Sequence, residues 1–263
     1  MQTRIYPCSV SVGAAVSIAK NGSLANQDCW LLNQHISQVS ARECHGSEKS
    51  RHFWELAGVF DGIGSGQGSE LASRIAAEEF QKVCSRLDSS KAPAFLDQCM
   101  DSAFLRANNQ ILRAAPKALG TTGTVVCWNR SVFRLYYLGD SRAYLLRNGE
   151  LYCLTEDHTV ARLKARTRLP VNPEDKHTLA DYIGKDKNGK YLTPSRSAWI
   201  SIMPGDLLLL CSDGLYNSLT TSQMRVSIES GFSLEEKAEC LSLFAQENGN
   251  MDDITCVLVQ LSS

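Results

Sequence analysis

Residues 69–111 read SELASRIAAEEFQKVCSRLDSSKAPAFLDQCMDSAFLRANNQI, two amphipathic runs set back to back. In the first, Ser69–Cys84, the apolar positions Ala72, Ala76, Phe80 and Val83 recur at helical spacing and share one face. In the second, Pro93 suits a first helical turn, where its missing N–H is no loss. Leu96, Met100, Ala103, Ala107 and Ile111 then form its stripe. Strand-like segments lie on both sides of this helix pair. Strict β-α alternation is therefore absent, which argues against a doubly wound parallel sheet. It predicts an α+β fold, antiparallel sheets with helices packed outside.

Upstream, Cys8–Ala19, Cys29–Asn33 and Phe53–Phe60 read as strands. Downstream, so do Gly123–Trp128, Phe133–Leu138 and Arg142–Leu146, the last joined to Leu151–Leu154 by an Asn148-Gly149 hairpin turn. Trp199–Ile202 and Leu207–Cys211 flank a Pro204-Gly205-Asp206 turn. Ser233 and Glu236 form a capping box for a helix carrying Leu234, Ala238, Leu241 and Ala245. Ile254–Leu261 closes as a strand. Residues 160–198 are polar and poorly periodic, the one stretch that reads as an insertion. No internal repeat or linker interrupts the chain, so residues 1–263 are expected to form one domain.

With 263 residues, 43% hydrophobic and 21% charged, the chain can bury a real core, and wholesale disorder is excluded. A net charge of −1 offers no electrostatic case for nucleic acid. No apolar run approaches a membrane span. Val10–Ala19 alternates like a strand rather than reading as a secretory segment. The 10 cysteines lack any Cys-x-x-Cys spacing and are expected to be reduced thiols in a cytoplasmic protein, not a zinc site.

The chemistry concentrates in aspartates at strand ends. Asp61 follows Leu56–Phe60, Asp140 follows Tyr136–Gly139, and Asp213 follows Leu207–Ser212. Asp28 precedes Cys29–Leu32, and Asp252 and Asp253 precede Ile254–Val257. A single such aspartate ordinarily starts a turn. Carboxylates converging from five strand ends would repel one another severely unless cations lay between them. Carboxylates, with the Gly62 carbonyl, form an all-oxygen donor set that suits Mg²⁺ or Mn²⁺. Two such ions are a common apparatus for phosphoester hydrolysis. The glycines at 62, 64, 66 and 68 fit neither a nucleotide P-loop nor a dinucleotide fingerprint, and read as backbone approaching metal and solvent closely. His158 reads as a hydrogen-bonded structural histidine.

These pieces resemble the metal-dependent protein serine/threonine phosphatases, the PPM or type 2C family, in its compact bacterial form. The resemblance rests on seven motifs in family order: Asn26-Gln27-Asp28; Val59-Phe60-Asp61-Gly62-Ile63-Gly64; Gly120-Thr121-Thr122; Leu138-Gly139-Asp140-Ser141-Arg142-Ala143-Tyr144; Leu154-Thr155-Glu156-Asp157-His158-Thr159; Gly205-Asp206 with Leu209–Leu215; and Asp252-Asp253-Ile254-Thr255. It implies a four-layer α-β-β-α sandwich with metals in a cleft at one edge. It further implies that Asp61 bridges two ions, the Gly62 carbonyl binds one, Asp213 and Asp252 hold the far side, and Asp28 acts through waters. Asp140 matches the position that helps bind a third, weaker metal with Asp213. A metal-activated water would attack phosphorus directly, with no covalent enzyme intermediate. Residues 160–198 match the family's variable flap.

Three positions depart from the family pattern. Ser23 stands where many members carry a phosphate-gripping arginine, Ile63 where some carry a histidine, and Asp253 where asparagine is frequent. Lys20, Arg166 and Arg168 are the candidate replacement contacts to substrate phosphate; Arg166 and Arg168 belong to a basic run with Arg162 and Lys164. The expected activity is hydrolysis of phosphoserine and phosphothreonine in proteins that a serine/threonine kinase modifies, by a monomer. The alternatives are an idle relative that binds phosphoproteins, and a hydrolase of small phosphoesters.

Overall fold

The computed structural model describes residues 12–20, 26–38, 42–46, 54–64, 68–84, 87, 93–114, 119–186 and 192–261. Ser23, Cys8, Phe53 and residues 65–67, all of which enter the sequence reading, lie outside the described residues. The strands are β1 (Val12–Ile18), β2 (Cys29–Leu32), β3 (His35–Ser37), β4 (Arg42–Gly46), β5 (Glu55–Phe60) and β6 (Gly62–Ile63). Helices α1 (Ser69–Cys84) and α2 (Pro93–Ala114) follow, then β7 (Gly120–Thr121), β8 (Gly123–Trp128), β9 (Val132–Leu138), β10 (Arg142–Arg147) and β11 (Glu150–Cys153). The remainder is α3 (Val160–Arg166), a 3₁₀ turn Pro173–Lys176, β12 (Ser195–Arg196), β13 (Ile200–Ser201), β14 (Leu207–Cys211), α4 (Asp213–Tyr216), α5 (Thr221–Glu229), α6 (Leu234–Glu247) and β15 (Ile254–Gln260).

Most strands form two antiparallel sheets, ordered β11-β10-β14-β15-β1-β4 and β12-β9-β8-β5-β2-β3, with β13 also on β9, while β6 and β7 pair with each other as a small third sheet. Alternation along the strands sorts their side chains into separate apolar layers. Leu208, Leu210, Val257 and Val259 face Trp30, Ala57, Val59 and Leu135 between the two sheets. Leu207, Leu209, Cys256 and Leu258 face the other way, onto Leu241 and Ala245 of α6. On the second sheet Leu56, Phe60 and Val125 pack against Phe80 of α1 and Met100 and Phe104 of α2. Three apolar interfaces separate four layers, which is the α-β-β-α sandwich.

The helix stripes fall where their spacing predicts: Ala72, Ala76, Phe80 and Val83 are buried, as are Leu96, Met100, Ala103, Ala107 and Ile111. Ser233 Oγ accepts the Glu236 N–H, and Glu236 returns a carboxylate to the Ser233 N–H, completing the capping box. Asn148 and Gly149 take φ values of 53° and 76°, as their hairpin requires. Predicted strand Cys29–Asn33 stops one residue short. Asn33 adopts φ 52° and turns the chain into β3 instead. Residues 160–198 are more closely stitched to the fold than an insertion suggests. Ile183 and Leu192 are buried against the α1/α2 layer, and β12 pairs with Tyr136 and Tyr137 of β9.

Candidate metal centre and its groove

Strand register brings the aspartates to one edge of the sandwich. Cys29 pairs with Phe60, so Asp28 and Asp61 flank the same end of β2 and β5. Cys211 pairs with both Cys256 and Arg142, so Asp213, the 252–253 turn and Asp140 gather at the matching end of the other sheet. The sequence-predicted ligands Asp28, Asp61, Asp140, Asp213 and Asp252 thus form one electrostatic group. Burial, then the charges of Asp28, Asp213, Asp140 and Asp252, hold the Asp61 carboxyl well above the usual range.

Burial chiefly pushes Asp28 up to about 8, helped by Asp253 and Asp213, while Thr255 and Ser212 hydroxyls pull it back. Asp140 is pushed up to about 7 by burial and by Asp213 and Asp157. Asp213 is pushed up to about 6 by burial and then Asp252, against the Gly214 N–H and the charge of His177.

Asp28 and Asp61 are held through their backbones. The Asp28 N–H donates to Asn26 Oδ1 at 2.8 Å. The Asp61 N–H donates to Thr122 Oγ1 at 3.0 Å, and its carbonyl accepts the Thr122 N–H and the Thr121 hydroxyl. The Gly120-Thr121-Thr122 motif is therefore a clasp on the Asp61 backbone. Gly62 is required for packing: a β-carbon there would lie 2.5 Å from the Ser69 carbonyl and 2.6 Å from that of Gln27. This close approach is to backbone, where the sequence reading invoked metal and solvent. Gly139, at φ 108°, meets the Thr122 side chain just before Asp140. Asp253 uses both oxygens on backbone, accepting the Lys20 and Gln27 N–H groups at 2.7 Å each.

The donor set suits a hard divalent ion. Asp28 Oδ2 is buried with no hydrogen-bond partner, a costly state for a carboxylate that an ion or water would relieve. All candidate donors are oxygens, the preference of Mg²⁺ and Mn²⁺. Among the described residues no three His, Cys, Asp or Glu side chains already close into a cage.

Asp140 and Asp213 open onto a groove of about 640 Å³ that is also lined by α3 and the turn after it. Arg142 lines it, gripping both oxygens of Asp157 at 2.9 and 2.7 Å and lying 3.7 Å over the Tyr216 ring. His158 is structural, as expected. Its Nδ1 accepts the Gly139 N–H, its Nε2 bonds Ser195 Oγ, and its ring stacks on Tyr137. Of the predicted phosphate contacts, Lys20 Nζ donates to Gln27 Oε1 at 3.3 Å, and Arg166 pairs with Glu156. Arg168, at φ 56°, is not part of the groove lining. The groove residues Lys176 and His177 were missed from sequence, because an exposed turn carries no periodicity to flag them.

A carboxylate cluster at the edge of an antiparallel α-β-β-α sandwich is the arrangement expected of a metal-assisted phosphoester hydrolase. The profile for protein phosphatase 2C matches residues 35–248. The serine/threonine phosphatase stp of Listeria welshimeri is 29% identical over 216 residues, spanning 77% of this chain and 82% of that protein. The Streptococcus agalactiae serine/threonine phosphatase shares the fold with a TM-score of 0.80 at 21% identity, covering 96% of this chain and 100% of that one. The catalytic domain of the phosphatase PstP, solved with 2 manganese ions, gives 0.73 at 24% identity, covering 97% and 99%. The chain belongs to the protein phosphatase 2C family.

Proposed function

We propose that the chain hydrolyses phosphoserine and phosphothreonine in proteins with two divalent ions, Mg²⁺ or Mn²⁺. Asp28, Asp61, the Gly62 carbonyl, Asp213 and Asp252 would hold them, with Asp140 and Asp213 serving a third, weaker site. The observation that carries this reading is Asp61, whose carboxyl feels four other aspartates at once. When bound, the ions would acidify water and neutralise phosphoryl oxygens. The chain's own part is positional. Thr121 and Thr122 fix the Asp61 backbone, Asn26 fixes Asp28, and Asp253 pins the segment leading into Asp28. Ile63 offers no proton, so the leaving oxygen takes one from solvent.

Lys20, Arg166 and Arg168 then act as rim cations that draw a phosphoprotein toward the groove. The reading extends to one domain spanning residues 1–263, with 160–198 as a flap beside the site; burial of Ile183 and Leu192 supports that unity. It also takes the enzyme as a cytoplasmic monomer working against a serine/threonine kinase. No described helix is long and apolar enough to cross a membrane. The test is hydrolysis of a phosphothreonine peptide and p-nitrophenyl phosphate with Mn²⁺, with chelator, and with Asp213→Asn. Turnover that persists in chelator or in Asp213→Asn would overturn the reading.

A further inference from the structure

Lys176 ends the 3₁₀ turn Pro173–Lys176, His177 caps it, and both line the groove together with Asp140 and Asp213. The other cations along this wall are committed. Arg162 and Arg166 both pair with Glu156, Lys164 Nζ reaches both Asp175 oxygens at 2.9 and 2.7 Å, and Arg142 is clamped on Asp157. Among the described residues, neither Lys176 nor His177 has a side-chain hydrogen bond or ion pair. An anion entering the groove would have to pull Arg162 off Glu156, but it meets Lys176 and His177 at the cost of their water alone.

We propose that Lys176 and His177 are the anion clamp of the groove, contacting a phosphoryl or carboxylate group of the substrate. The inference rests on the phosphatase reading and adds the side chains that meet the substrate. Side-chain donors on the same groove as Asp140 and Asp213 would orient the substrate as it enters. His177 lines the same groove as Asp140 and Asp213. Both residues are exposed, so replacing them leaves the cores untouched.

The experiment compares Lys176→Ala, His177→Ala, the double variant and Lys176→Arg. Substrates are p-nitrophenyl phosphate and phosphothreonine peptides with neutral or acidic flanks, and inorganic phosphate serves as inhibitor. The double variant is expected to raise KM at least about fivefold with kcat held within about twofold, and Lys176→Arg to restore most of the loss. A rise for every substrate, with a weaker phosphate Ki, identifies the phosphoryl group as the ligand. A rise confined to acid-flanked peptides identifies a flanking carboxylate. An active wild type whose double variant keeps KM and Ki, or loses only kcat, overturns the clamp alone. A wild type that hydrolyses none of these substrates overturns the phosphatase reading and the clamp with it.

Discussion

Gly214 lies so close to Asp253 that a β-carbon on it would sit 2.1 Å from the Asp253 carbonyl oxygen. The first turn of α4, which carries Asp213, is thereby seated directly on the turn that carries Asp252. Gly214→Ala must push these two backbones apart. The expected loss is about 2–4 kcal/mol of stability, with activity falling further than stability because the two carboxylates separate. Thermal melting and kcat on p-nitrophenyl phosphate measure the two effects; an alanine variant with unchanged kcat would contradict the account.

Asp253 accepts both the Lys20 and the Gln27 N–H groups, one on each carboxylate oxygen. In Asp253→Asn one oxygen becomes an NH₂ that faces a donor. The cost is about 1–3 kcal/mol, and the Asn26-Gln27-Asp28 segment should loosen. Hydrogen exchange at Gln27 is expected to quicken, together with a lower Tm.

Stability of the metal-free protein should fall as pH rises. Asp28, Asp140 and Asp213 have folded pKa values of about 8, 7 and 6 against an ordinary 3.8. A carboxyl raised on folding binds more protons in the native state than in the unfolded one. Its contribution is full below the ordinary value and is lost as pH climbs through the raised one. Tm measured in chelator between about pH 5 and pH 8 should therefore decline, and Mn²⁺ should flatten the decline by replacing the protons. A curve that is level without metal would contradict the clustering.

Arg166→Glu combined with Arg168→Glu should weaken phosphopeptide binding only through the long-range field. The KM change is expected to be about two- to threefold in dilute buffer and to vanish near about 0.5 M salt. A large, salt-resistant effect would mean that one of these side chains grips the substrate directly.

Much of this architecture was legible before any coordinates. The Ala72–Val83 and Leu96–Ile111 stripes and the Leu207–Cys211 run state which faces are apolar, and burial follows from that. The aspartates could be read because each interrupts an apolar strand at its end. What could not be read depends on contacts between distant segments. Nothing local in Thr121-Thr122 shows that it clasps Asp61, and nothing in Asp253 shows that it pins residues 20 and 27. The flap hid its groove-lining side chains for a related reason. Arg166 stood out by composition, yet Glu156 neutralises it, whereas Lys176 and His177 sit in a turn whose only signature is its three-dimensional position.

The carboxylates are divided between the sheets: Asp28 and Asp61 on one, Asp213 and Asp252 on the other. The apolar filling around Trp30, Val59, Leu210 and Val257 spans the gap across which the two groups face each other. The enzyme's interior thus works as a spacer. Trimming a methyl group far from the chemistry would shift one jaw against the other, and catalytic output would register such slack well before the fold gave way.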